Sequence, residues 1–189
     1  MTKKHTKNPN KTLKNQIIYG IHSVKAALLN KKRTHNEIIL QENTSFPIEK
    51  FKANIKKIKF LDQKQFKKVY GNEHTTQGVV LVTEELSKPS LEEFIQNEGK
   101  KNKSIILVLD QITDPQNIGS IMRSCALFDC KGIVVSKDNS PELTPSLLKV
   151  ASGAAELVNY FKVTNIRRSL LDFKKNGYWI YGFDTSNNS

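Results

Sequence analysis

Between Ser104 and Ala126 an apolar run breaks at a polar, Pro-containing loop and passes directly into Asn-Ile-Gly and an Arg-bearing amphipathic stretch. That order constrains the chain to a strand, a turn and a helix whose junction lies at one end of a sheet. Ile105 to Leu109 is unbroken apolar, as a strand buried on both faces requires. Asp110 to Gln116 turns. Pro115 cannot donate a backbone hydrogen bond and biases Asp114 away from helical geometry, so the helix is expected to start at or after Asn117, with Asn117 near its N-cap. Gly119 then falls in the first turn, where a missing Cβ admits a ligand or another backbone and unpaired N–H groups favour anions. Arg123 follows, with a long planar fork able to reach back towards a phosphate or carboxylate at the helix mouth.

Downstream the pattern alternates strand and helix, which predicts a parallel sheet with ligands bound beyond the carboxyl ends of its strands. Strands are expected at Gly132 to Val135, Leu157 to Phe161 and Tyr178 to Gly182, with helices at Pro145 to Ala151 and Asn165 to Lys175. Upstream, residues 16–86 read as a small α/β unit. Its strands are expected at Ile17 to Tyr19, Glu37 to Leu40, Ile58 to Phe60 and Val79 to Val82, and its helices at Ser23 to Leu29, near Ile48 to Ile55, and at Gln63 to Tyr70. Residues 87–103 read as a linker with one short helix behind a Ser90-to-Glu93 capping box. Residues 1–15 are basic and polar and are expected to form a mobile arm.

Thirty Lys and Arg against eighteen Asp and Glu give a formal net charge of +12, which favours a polyanionic partner. The lysine pairs Lys31-Lys32, Lys56-Lys57 and Lys67-Lys68 recur beside turns, which favours RNA over a merely solvated face. No stretch approaches the roughly 20 apolar residues of a membrane span, and the N-terminus lacks a signal-peptide core. A cytoplasmic protein without a membrane partner is the expectation. Cys125 and Cys130, five apart with no further thiol or His beside them, do not make a zinc pattern and are expected as free thiols. His22 and His74 are given no chemical role.

Four separated segments resemble one family. Asp114 to Ser124, reading DPQNIGSIMRS, is similar to the first motif of the SpoU-type (TrmH-like) RNA ribose 2′-O-methyltransferases. Tyr19 to Leu28 and His74 to Val80 resemble the opening and close of that family's substrate-binding domain, and Lys149 to Glu156 resembles the segment after the first motif. The resemblance implies an α/β chain with a small ribosomal-protein-L30-like N-terminal domain and a Rossmann-like parallel sheet of the knotted methyltransferase type. The family's second and third motifs, which tie the knot and supply most of the S-adenosylmethionine pocket, have no counterpart here, so an incomplete sheet lacking the knot region is expected over 104–189.

The resemblance implies methyl transfer from S-adenosylmethionine to a ribose 2′-hydroxyl, with Arg123 as the catalytic arginine. Arginine is too basic to act alone as a general base, so phosphate binding and alkoxide stabilisation suit it better. Asn117 would orient that group or the ribose, and Glu156 would hold Arg123 or Asn117 in place. No residue is assigned to cofactor or metal. The implied partner is RNA, ribosomal RNA ahead of transfer RNA, and the family's homodimer interface is expected to be lost. The competing expectation is a non-catalytic RNA-binding remnant or one half of a split gene product.

Overall fold

The computed structural model describes residues 14–71, 73–99 and 104–183. Most of the expected arm lies outside them, but Asn15 already opens the first strand. Four strands, β1 (Asn15–Tyr19), β2 (His35–Gln41), β3 (Ile55–Leu61) and β4 (Val79–Glu84), form a sheet of order β1-β4-β2-β3. β4 runs antiparallel to β1 and β2, while β2 and β3 are parallel. The order follows from burial. Ile38, Ile39, Leu40, Val79, Val80 and Leu81 are buried on both faces, so β2 and β4 are central. β3 carries exposed Lys56, Lys57 and Lys59, charges that keep an edge strand from pairing with other chains.

Helix α1 (Ile21–Leu29) covers one face of this sheet and α2 (Gln63–Tyr70), which buries Phe66, covers the other. Asp62 caps α2 through Gln65 N at 2.8 Å. A single turn, α3 (Glu73–Thr76), leads into β4. The helix expected near residues 48–55 is instead two 3-10 turns, Ile48–Lys50 and Lys52–Asn54, and β3 begins at Ile55. Ile48 and Phe51, three apart, are both buried, a spacing that suits the tighter helix.

The second unit is a parallel sheet of order β5-β6-β7, formed by β5 (Ile106–Leu109), β6 (Gly132–Ser136) and β7 (Asn159–Val163). Helices α5 (Pro115–Leu127) and α6 (Pro145–Val150) cover one face. On the other, α4 (Leu91–Glu98) and α7 (Ile166–Lys175) bury Phe94, Ile95 and Phe173 against Val134 and Phe161. The capping box that starts α4 is present, with Ser90 Oγ accepting from Glu93 N at 3.2 Å. Yet α4 packs into this core rather than bridging solvent: the Phe94 and Phe161 ring centroids are 4.8 Å apart.

Two boundaries differ from expectation for visible reasons. α5 starts at Pro115, whose fixed φ suits the first helical position, and Asp114 is the N-cap, accepting from Gln116 N at 2.8 Å. The strand expected at residues 178–182 does not form. Gly177, at φ +86°, ends α7 in a Schellman turn, with Gly177 N donating to Lys174 O at 3.1 Å and Tyr178 N to Phe173 O at 3.2 Å. That folds Tyr178 onto Phe173, edge-on at 5.2 Å, and leaves Trp179, Tyr181 and Phe183 exposed.

The two sheets share one core. Ile18, Val24, Ala27 and Ile38 from the first unit join Ile118, Met122, Ile133, Leu147 and Ala155 from the second in one buried cluster. Gly119 makes this possible at α5, because a Cβ there would lie 2.5 Å from Val150 Cγ1. The close approach expected at Gly119 is thus taken by α6. Gly119→Ala is expected to cost about 1 to 3 kcal/mol by overpacking despite alanine's better helix propensity. Chemical denaturation should show the loss, and Gly119→Ala with Val150→Ala should recover much of it.

Candidate catalytic and nucleic-acid site

Helix α5 displays both expected reacting residues. Its core face is Ile118, Gly119, Met122 and Cys125, all buried, and Asn117 and Arg123 are exposed. At about 100° per residue and 1.5 Å rise, Asn117 and Arg123 stand some 120° apart around the helix and about 9 Å apart along it. They flank the outer face, with Ser120 between them. Ser120 Oγ donates to Asn117 O at 3.0 Å and Ser124 Oγ to Ser120 O at 3.3 Å, so these hydroxyls face back onto the helix. An RNA strand laid across this face can meet both groups; they do not meet each other.

The helix mouth is less inviting to anions than its sequence implies. Pro115 has no N–H, and the N–H of Gln116 is already taken by the Asp114 carboxylate, which stands where a phosphate would sit. Asn117 is therefore the third helical residue, not the cap. Any phosphate recruited to α5 depends on Arg123 more than on the helix terminus.

Glu156 is turned elsewhere. In place of Arg123 or Asn117, its carboxylate takes Arg33 Nη2 at 2.8 Å, Arg33 Nε at 2.8 Å and Asn30 Nδ2 at 2.7 Å. Arg33 also donates to Glu84 O at 3.0 Å. The two charged side chains are 3% and 6% exposed, so this fork-to-fork pair is buried between the units. Sequence reasoning missed Arg33 because it closes a Lys-Lys-Arg run whose first two members are exposed. Nothing local marks the third as inward-facing. Nearby, burial and then Arg33 hold the His35 imidazole and the Lys88 ammonium below their usual ranges, with Glu156 opposing in both cases.

The lysines of the three pairs stay outward. Lys31, Lys32, Lys67 and Lys68 are exposed, as are Lys56 and Lys57, although Lys57 pairs with Glu37 at 3.0 Å and Lys56 donates to Asn36 at 2.9 Å. His22 is exposed on α1, and the side chain of His74 lies outside the described residues. Both cysteines are free thiols, and burial, with Cys130 beside it, pushes the Cys125 thiol up to about 12. No helix among the described residues is long and apolar enough to cross a membrane.

A mixed-sheet module carrying outward lysines is thus locked onto a parallel α/β unit whose helix α5 displays Asn117 and Arg123. Residues 104–189 match the SpoU rRNA Methylase family, and residues 17–89 match the family described as RNA 2′-O ribose methyltransferase substrate binding. The chain belongs to the SpoU family. It is 34% identical to the 23S rRNA (guanosine-2′-O-)-methyltransferase RlmB of Neisseria meningitidis over 91% of this chain and 70% of that one. The RlmB of Shewanella oneidensis is also 34% identical, over 89% and 70%. Its fold is that of the SpoU methyltransferase AviRb from Streptomyces viridochromogenes, solved with AdoMet (TM-score 0.65, 14% identity), covering 85% of this chain and 59% of that one. The chain therefore spans about 70% of the curated relatives and about 60% of the solved structures it matches.

Two outcomes test the buried pair and its neighbour. Glu156→Ala strands the Arg33 guanidinium and should cost about 3 to 5 kcal/mol in denaturant titration, whereas Arg33→Met with Glu156→Leu should cost far less. The His35 imidazole, held by burial below its ordinary value of 6.5, should make stability full above that value and progressively lower as pH falls below it, because the unfolded chain then binds more protons. Thermal melts between roughly pH 5.5 and 7.5 should show that slope, flattened in His35→Asn.

Proposed function

We propose that this chain acts in S-adenosylmethionine-dependent methylation of a ribose 2′-hydroxyl in ribosomal RNA, with transfer RNA as the second substrate class. The reading is carried by one observation: the lysine-bearing module and the Asn117/Arg123 helix are held in fixed relation by a single core. RNA gripped by the first is delivered to the second. In that complex Arg123 binds the phosphate next to the target ribose and stabilises negative charge developing on the 2′-oxygen, and Asn117 orients the ribose by hydrogen bonds. Glu156 acts at a distance, through Arg33, by fixing the module's orientation.

S-adenosylmethionine supplies an electrophilic methyl group when bound. Among the described residues β5 is an edge strand, so the carboxyl end of the sheet beside α5 is walled on one side only. That does not enclose a cofactor of this size, and no described residue is assigned to it. RNA binding is thus the activity the described residues support by themselves.

A salt series of filter-binding titrations with structured ribosomal RNA tests the proposal. Affinity should fall steeply with salt, and replacing Lys31, Lys32, Lys67 and Lys68 together should flatten the log–log slope by about 3 units if all four reach phosphates. Arg123→Ala should hardly change binding, one phosphate contact among several. A wild-type chain that fails to bind at low salt would end this reading.

A further inference from the structure

Helix α5 closes in a turn that brings two thiols together. Asp129, at φ +56°, takes the left-handed conformation just past the helix end, and Cys130 N donates to Cys125 O at 2.8 Å. That bond is the longer one of a Schellman turn, a geometry in which the side chains at its first and last positions meet. Here both are cysteines. With N and O 2.8 Å apart, covalent geometry holds the two Cα atoms within about 6.7 Å, under the roughly 6.8 Å upper limit of a disulfide. The backbone need not move for a bond to form.

The surroundings of the two thiols differ. Cys125 lies on the core face of α5, 3% exposed, and burial, with Cys130 beside it, pushes its thiol up to about 12. It therefore stays protonated and is not the first to react. Cys130 stands past the helix, half-buried at the edge of the core, and is the thiol that a small oxidant reaches. Neither belongs to the Asn117/Arg123 face. Nor do they serve a metal: no group of three His, Cys, Asp or Glu able to hold an ion occurs among the described residues.

We propose that Cys125 and Cys130 form an oxidation site, at which hydrogen peroxide joins them in an intrachain disulfide across the closing turn of α5. The Cys130 thiolate attacks one peroxide oxygen and the O–O bond breaks, leaving a sulfenic acid; the hydroxide released takes up the proton the thiol gave. The Cys125 sulfur then attacks the sulfenic sulfur, the S–O bond breaks, and the departing hydroxide leaves as water with the Cys125 proton. Two thiols and one peroxide thus become one disulfide and two waters, with both sulfurs oxidised and both peroxide oxygens reduced. The product ties the last turn of α5, which follows Arg123, to the residues entering β6. A reductant attacking Cys130 must expel the buried Cys125 sulfur, a poor leaving group at so high a pKa, so the bond reopens slowly.

Mass spectrometry of the whole folded chain tests it. After treatment with a slight excess of hydrogen peroxide and alkylation in denaturant, both cysteines should escape the alkylating reagent. Trypsin should then release the peptide Ser124 to Lys131, which holds both, about 2 Da lighter than its reduced form and restored by prolonged dithiothreitol. Cys125→Ala should stop at a sulfenic acid on Cys130 that dimedone traps, and Cys130→Ala should slow oxidation of the remaining thiol about ten-fold or more. The wild-type peptide alone decides whether the bond forms, whatever either variant does to folding. Two alkylable thiols after peroxide, addition of about 16 or 32 Da to one cysteine without a bond, or two copies of the peptide joined to each other would overturn the site.

Discussion

The Arg33–Glu156 pair is the constraint on which the arrangement of the two units depends. Two full charges taken out of water recover their desolvation cost only with near-ideal geometry and all remaining hydrogen-bonding positions filled. Here the fork is bidentate, Asn30 fills a further position on the carboxylate and Glu84 O takes a third donor of the guanidinium. Such a pair contributes less to net stability than to uniqueness: any other docking of the module strands one charge in an apolar seam. Ser23 Oγ, donating to Leu148 O at 2.9 Å, adds a second directional contact to the same seam.

Around that pair the packing is close. Gly153, at φ +94°, has no room for a side chain because its Cβ would meet Ala26 Cβ at 2.5 Å. Helix α1 thus lies against the turn after α6 at a distance that only small residues permit. The same closeness recurs at Gly119 and Val150, so α6 is wedged between α5 and the module. A helix bearing Asn117 and Arg123 is in this way indexed to the lysines of the other sheet through one intervening helix.

Much of this was legible in the chain. The alternation after Leu109 and the capping box at Ser90 each write a local rule that packing leaves intact, whereas the apolar run at Ile105 to Leu109, expected to be buried on both faces, forms an edge strand that is only half-buried, with Ile105 exposed. Other features depended on partners remote in sequence. Pro115 could be read as a helix breaker or as a first helical residue, and Asp114, able to cap, tipped it to the second. Trp179 to Phe183 looks like a strand until Gly177 closes the preceding helix and sends the chain elsewhere. Arg33 is the clearest case: within a run of three cations, only a carboxylate 123 residues away distinguishes the one that is buried. The site was legible to the same extent, since Asn117 and Arg123 lie on one local helix.

The continuous core has a consequence for how such a chain can change over time. The module and the parallel unit look like interchangeable parts, each with its own sheet. Yet Ala26 can enlarge only if Gly153 yields, and Arg33 can be lost only together with the charge on Glu156. The join therefore behaves as inherited tailoring: a module cut for one catalytic unit will not fit another unless both sides of the seam are altered in step.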